Sequence, residues 1–193
     1  AGGGRVLLVA GSSGPPPADR VVRDVLVGAG LSVSVVDDDA LSAGVESGFD
    51  VVLISSSVSP RTVGSAFRSS AVPVVSTEPF VFDDLGLTAN SRSARGEFGS
   101  LVSLDVVDSG HPIAGGLSGR VTVASSSSPF TFGQPSAAAS VVALLAGGGD
   151  RAGVFAYEAG ASMVGLQAPA ARVGLFLSYA TPQSLTAVGE SLV

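Results

Sequence analysis

The sequence predicts an α/β domain of three layers (αβα), in which helices cover both faces of a mostly parallel sheet. Two observations indicate this class. Short apolar runs rich in β-branched residues alternate with helical segments over residues 1–80, as in strands buried on both faces. The chain has 193 residues, of which 46% are hydrophobic, so a single domain can bury a full core.

The first half of the chain alternates strands with helices. An amphipathic helix is predicted at 18–30, because Val21, Val22, Val25 and Leu26 share one helical face. A shorter helix is predicted at 60–69. The predicted strands of this half are 5–10, 31–36, 50–54 and 72–75.

The second half is predicted to be rich in β-structure. Short turns separate its apolar runs, which is typical of an antiparallel meander. These runs are 101–107, 120–124, 140–145 and 153–157. A strand at 172–178 and a helix at 181–193 are expected to return to the first sheet. We therefore predict one domain over 1–193, with a β-rich insertion or extension at 85–165 and a glycine-rich linker at 1–4.

Composition excludes several classes of function. Sixteen acidic residues against ten basic ones give a net charge of −6, which disfavours nucleic acid as a partner. The chain has no cysteine and one histidine, so thiol nucleophiles, zinc sites of cysteine and multi-histidine sites are excluded. No apolar run reaches the length of about 18 residues that a membrane span needs. A charged fraction of only 13% favours an extracellular or cell-surface setting.

Two motifs carry a resemblance to known families. They are HPIAGGL at 111–117 and EPFVFDD at 78–84. With them, nearly the whole chain resembles an uncharacterised αβα module of secreted bacterial multidomain proteins. More distantly it is similar to the ThuA-like and class I glutamine amidotransferase-like superfamily.

The resemblance implies a flavodoxin-like or amidotransferase-like sheet, with neighbouring domains or other subunits as partners. Enzymes of the amidotransferase kind use a cysteine on a strand-to-helix elbow and a nearby histidine. This chain has no cysteine, and its single histidine, His111, precedes a proline in a turn. The sequence therefore assigns no catalytic residue.

Candidate ligand-binding residues follow the predicted strands, because ligands of open parallel sheets bind beyond the carboxyl ends of the strands. Ser12 follows the first strand, Ser55 and Ser56 follow the third, and Glu78 follows the fourth. The alternative is that these serines only form turns and helix caps, with Ser57 or Ser59 capping the helix at 60–69.

Acidic residues form two further candidate groups. Asp83 and Asp84 are expected near Glu78, above the anchoring rings of Phe80 and Phe82, and Glu158 is a candidate to join them. Asp37, Asp38 and Asp39 could hold a hard cation such as Ca²⁺, or form a solvated strand end with one aspartate as a helix cap. The latter is preferred, so no metal and no cofactor is assigned.

Two functions from different classes remain open. The preferred one is a non-catalytic structural or interaction module of a larger extracellular or surface assembly, bound to protein subunits, neighbouring domains or carbohydrate. The alternative is a sugar-related small-molecule binder or enzyme of the ThuA/amidotransferase-like kind. A domain of an adhesin stabilised by metal at 37–39 is a third, weaker hypothesis.

Overall fold

The structure is a computed structural model that describes residues 3–193. The first two residues of the predicted linker lie outside the described residues. The strands are β1 (Arg5–Ala10), β2 (Ser32–Asp37), β3 (Val51–Ile54), β4 (Val74–Ser76), β5 (Arg95–Leu101), β6 (Ser103–Val106), β7 (Gly119–Thr122), β8 (Ser128–Gly133), β9 (Ser140–Leu145), β10 (Ala152–Tyr157), β11 (Ser162–Met163), β12 (Leu166–Gln167) and β13 (Arg172–Leu175). The α-helices are α1 (Pro17–Gly28), α2 (Pro60–Val63), α3 (Phe82–Leu85) and α4 (Ala187–Glu190).

A mixed sheet of 11 strands organises the fold and confirms the predicted α/β class. Its central path runs β2-β1-β3-β4-β13-β10-β9-β6-β7, while β8 pairs with both β10 and β5. The five strands from β2 to β13 along this path are parallel, and the remaining pairs are antiparallel. The carboxyl ends of β1, β3 and β4 therefore lie side by side at the same end of the parallel strands.

Two apolar clusters cover the two faces of the sheet. On one face, Val22 and Leu26 of α1 pack on Val6 and Leu8 of β1. On the other face, the segments around α2 and α3 bury a second cluster that includes Phe67 and Phe82. The Phe82 ring meets Phe155 edge to face, at 5.6 Å between centroids. Among the described residues, none of the helices has the length and apolar character needed to cross a membrane.

Two predicted helices are shorter than the sequence suggested. The helix predicted at 60–69 ends at Val63, because Gly64 turns the chain with a φ of +43°. The helix predicted at 181–193 is divided into a 3₁₀ turn, Thr181–Ser184, and α4. Of the two residues between them, Leu185 is held extended in a β-bridge to Ala124, and Thr186 is the N-cap of α4.

Arg172, at the start of β13, is fully buried and ties two loops together. Its Nη1 and Nη2 donate hydrogen bonds to backbone carbonyls of 67–72 and 170–171, including Ser70 O at 2.5 Å. Burial lowers the pKa of its guanidinium from the ordinary value. Among the described residues no carboxylate pairs with it, so backbone carbonyl dipoles supply its counter-charge.

We predict that Arg172→Met lowers the free energy of unfolding by about 3 kcal/mol or more, because several carbonyls lose their donor inside the protein. Urea denaturation measures this loss. Arg61→Met, at an exposed arginine, is the control and is expected to change stability by less than about 0.5 kcal/mol. Equal effects of the two substitutions would contradict the structural role of Arg172.

Candidate functional site

The crevice beyond the carboxyl ends of β1 and β3 is the first candidate site. Residues 11–14 leave β1 here, and Ser55, Ser56 and Ser57 leave β3. The first turn of α1 brings a further side chain, Asp19, into the same place. Asp19 lies on the inner face of α1 and is only 2% exposed.

Asp19 accepts hydrogen bonds from two of the serines. Ser55 Oγ donates to Asp19 Oδ1, and Ser57 Oγ donates to Oδ2 at 2.6 Å. Each hydroxyl also accepts a backbone N–H: Ser57 Oγ from Gly11 at 3.0 Å, and Ser55 Oγ from Ser57 at 3.1 Å. The carboxylate, both hydroxyls and these two N–H groups thus satisfy one another.

Little space remains in this crevice. A cavity of about 10 Å³ lies among residues that include Asp19, Ser55, Ser56 and Thr77. That volume holds about one water molecule. The two loops also touch, since a Cβ at Gly11 would overlap the carbonyl of Ser57. The crevice is therefore filled by the side chains of the protein.

Other residues at this end of the strands form a turn and a contact between loops. Ser12 Oγ accepts the N–H of Gly14 at 3.2 Å within the turn. Ser59 is the N-cap residue of α2, but its side chain makes no capping bond. Its N–H donates to Asp38 Oδ2 at 2.5 Å, which links the start of α2 to the loop after β2. The predicted serine cap of α2 is therefore not formed.

Two of the three aspartates at the end of β2, Asp37 and Asp38, accept backbone hydrogen bonds. Asp37 accepts from the N–H groups of Ser13 and Asp39, both at 3.1 Å, and caps the 3₁₀ turn Asp38–Ala40. One carboxylate oxygen from each of the three residues lies within 4.8 Å of the others, which would permit a cation. The predicted role of one aspartate as a helix cap is confirmed.

A second polar cluster, here called the Arg95 cluster, lies beyond β4 and contains Glu78, Asp83 and Arg95. Glu78 is 6% exposed, and its Oε1 accepts the N–H of Phe80 at 2.9 Å. Desolvation by burial raises the pKa of Glu78 from 4.5 to about 7, and Glu97 adds to this rise. The hydrogen bond from Phe80 and the charge of Arg95 act in the opposite direction without offsetting it.

Arg95 pairs with Asp83 in this cluster, and its charge also acts on Glu78. Its Nε lies 2.7 Å from Asp83 Oδ1, although the two atoms are not aligned for a hydrogen bond. The guanidinium also lies 5.5 Å from the centroid of the Phe80 ring. That ring is 51% exposed, so the prediction that Phe80 is a buried anchor is wrong, whereas Phe82 is fully buried as predicted.

Glu158 lies elsewhere. Its Oε1 is 3.8 Å from Nε2 of His111, whose Nδ1 accepts the N–H of Ile113 at 3.2 Å and caps a 3₁₀ turn. His111 is thus a capping residue beside a carboxylate. Glu158 does not join the Arg95 cluster as the sequence suggested.

The predicted site residues fall into two groups. Ser55 and Ser56 line the filled crevice, and Ser12 lies in the adjoining turn. Glu78 and Asp83 lie beyond β4, where Arg95 pairs with Asp83 and its charge acts on Glu78. Sequence reasoning missed Asp19 and Arg95. A signal for Asp19 existed, because it stands on the same helical face as Val22 and Leu26. Arg95 lies in a strand far along the chain, so no local pattern indicates it.

Comparison with known proteins supports the fold. No family model matches the sequence, and no curated protein matches it. The solved structures that are similar include PurLQS from Thermotoga maritima, with a TM-score of 0.53 and 15% identity over 98% of this chain and 95% of that chain. They also include SMU.1228c, with a TM-score of 0.53 and 13% identity over 90% of this chain and 76% of that chain. These similarities show a shared fold.

The raised pKa of Glu78 predicts a pH-dependent stability. The folded protein keeps the proton of Glu78 up to about pH 7, while the unfolded chain releases it near 4.5. The free energy of unfolding should therefore fall by about 3 kcal/mol as pH rises through this window. Glu78→Gln should remove this part of the pH dependence, which urea denaturation across the window measures.

The control is Glu190→Gln at an exposed position of α4. It should retain the pH profile of the unsubstituted protein. A Glu78→Gln profile with the same slope as the unsubstituted protein would contradict the buried, protonated state of Glu78.

Proposed function

We propose that this domain is a non-catalytic structural or interaction module of a larger extracellular or surface assembly. The observation that carries the proposal is the filled crevice at the carboxyl ends of β1 and β3. In open parallel sheets this is the place where ligands bind. Here its hydroxyls, its carboxylate and its nearest N–H groups are engaged with one another.

Composition gives the proposal its second support. Without cysteine, acyl-transfer chemistry of the amidotransferase kind has no thiol nucleophile. The single imidazole accepts a backbone N–H at His111 Nδ1, as a turn cap does. A surface poor in charge suits contacts with other protein subunits, neighbouring domains or carbohydrate.

We also infer a flavodoxin-like or amidotransferase-like layout with a β-rich second half. The parallel strand order β2-β1-β3-β4-β13 and the similarity to PurLQS support it. Kinship with ThuA-like domains and with modules of secreted bacterial proteins remains a proposal, which rests on the motifs at 78–84 and 111–117.

Stability measurements on Asp19 test the structural role of the crevice. Asp19→Ala should lower the free energy of unfolding by about 3 kcal/mol, since two buried hydroxyls lose a charged acceptor. Asp19→Asn keeps one acceptor oxygen and should lose less. The matched control on the same helix is Asp24→Ala, whose exposed ion pair with Arg23 should contribute less than about 0.5 kcal/mol.

The opposite result would indicate a functional site. Residues kept for ligand binding or catalysis are often suboptimal for stability, so their removal leaves stability unchanged or raises it. An Asp19→Ala variant as stable as the unsubstituted protein would therefore contradict the proposal.

A sugar-related small-molecule binder or enzyme is the second candidate, favoured by one observation at the Arg95 cluster. Glu78 is a buried carboxyl whose pKa of about 7 lets it donate or accept a hydrogen bond near neutral pH. Phe80 beside it exposes half of an aromatic ring. An exposed ring and a hydrogen-bonding carboxyl are groups that suit a sugar.

This candidate is tested by calorimetric titration with a panel of mono- and disaccharides. If it is correct, at least one saccharide binds, and Glu78→Gln weakens its affinity by about tenfold or more. Ser55→Ala, in the filled crevice, should leave that affinity unchanged. Failure of every saccharide to bind would dispose of this candidate and leave the first proposal intact.

A further inference from the structure

The outer edge of β2 has free backbone hydrogen-bonding groups. Among the described residues, β2 pairs only with β1 and lies at one end of the sheet. The N–H of Ser32 donates toward β1, to Gly4 O at 2.9 Å. Because successive residues of a strand direct their N–H and C=O to opposite sides, Val33 and Val35 direct theirs away from the sheet.

This edge lacks the features that usually block strand addition. Protected edges carry charged residues, prolines or bulges. No residue from Leu31 to Val36 is charged or a proline, and the register with β1 is continuous. At the other end of the sheet, β7 is shorter and carries the exposed Arg120, paired with Asp105 of β6 at 2.7 Å.

An exposed apolar residue stands next to this edge. In α1, Leu26 points into the core, and Val25 and Val27 lie about 100° to either side of it. Val25 and Glu190 of α4 line the same groove. The start of α4 packs near β7, at the opposite end of the sheet from β2. Val27 therefore faces the β2 end, where it is 52% exposed.

We propose that β2 pairs antiparallel with β2 of a second copy of this chain, about a two-fold axis at Ser34. This register places Val33 opposite Val35 of the second copy on the α1 face, and Ser34 opposite Ser34 on the other face. The two Asp37 carboxylates then lie at opposite ends of the paired β2 strands. The uncharged edge is thus complementary to itself, and the two-fold arrangement closes as a dimer.

Pairing β2 with β7 fits less well. It would place Arg120 against an uncharged strand and would be open-ended, because each copy would keep one free edge. The inference goes beyond the proposed function and does not depend on it, because the β2 edge is separate from the crevice and from the Arg95 cluster.

Analytical ultracentrifugation over a concentration series tests the dimer. The unsubstituted protein should dimerise, and Val35→Pro should weaken dimerisation by on the order of 30-fold, because each dimer loses two hydrogen bonds. The N–H of Val35 points outward, so the monomer fold keeps all its sheet hydrogen bonds. Thermal unfolding checks that the variant is folded.

Thr122→Pro is the matched control on the opposite edge. Val123 N donates to Val102 O at 2.8 Å, so the N–H of Thr122 points away from β6. This variant should dimerise like the unsubstituted protein. A monomer throughout the series, or a dimer insensitive to Val35→Pro, would overturn the proposal.

A thiol introduced at the axis tests the register, since the chain has no cysteine of its own. In this register, Ser34 lies opposite Ser34 of the second copy in a non-hydrogen-bonded pair. The Cα atoms of such a pair are about 4.5 Å apart, which is within the range of a disulfide. Ser34→Cys should therefore give a disulfide-linked dimer under mild oxidation. Ser32→Cys is exposed on the same face, but its two copies would lie more than about 13 Å apart and should not cross-link. Equal cross-linking of the two variants would overturn the proposed pairing.

Discussion

The hydrogen bonds of Asp19 hold together the segments at the carboxyl ends of the parallel strands. This one buried carboxylate joins the first turn of α1 to the chain leaving β3, and through Ser57 it also reaches Gly11 after β1. Three segments of the fold are therefore linked through a single side chain. The carboxyl ends of parallel strands bind ligands in many α/β proteins. In this domain, the elements at that end pack against one another instead.

The crevice and the Arg95 cluster differ in how many of their polar atoms already form hydrogen bonds within the protein. In the crevice, each hydroxyl both donates and accepts, and the cavity that remains holds about one water. Beyond β4, by contrast, only one carboxyl oxygen of Glu78, Oε1, accepts a hydrogen bond among the described residues, and burial raises the pKa of this carboxyl to about 7. Any small-molecule chemistry of this domain is therefore expected at the Arg95 cluster.

Part of this structure could be predicted from the sequence. Apolar runs and the amphipathic stripe of α1 indicated β1, β2, β3 and the α/β class, because burial on a sheet depends on local patterns. The extended residue before α4 could not be predicted, since the β-bridge of Leu185 to Ala124 is a tertiary contact. The end of α2 is set locally, by the turn at Gly64, which the apolar pattern of 60–69 did not reveal.

The candidate site was predictable to the same limited extent. Their position after β3 correctly placed Ser55 and Ser56 at the carboxyl ends of the strands. The hydrogen-bond partner of Ser55, Asp19, comes from a helix whose other inward residues are apolar. Glu78 and Asp83 were grouped because they are near in sequence. Arg95, which pairs with Asp83, comes from β5, a strand that pairs with the distant β8.

Amide hydrogen exchange at Gly11 and Ser57 tests the central claim most directly. Their N–H groups point into the crevice, where the account has them bonded to Ser57 Oγ and Ser55 Oγ. It predicts that both amides are protected and exchange at rates close to those of the β3 amides. Rapid exchange of both amides in a folded protein would mean that these donors are free for a ligand, and would contradict a crevice closed by its own side chains.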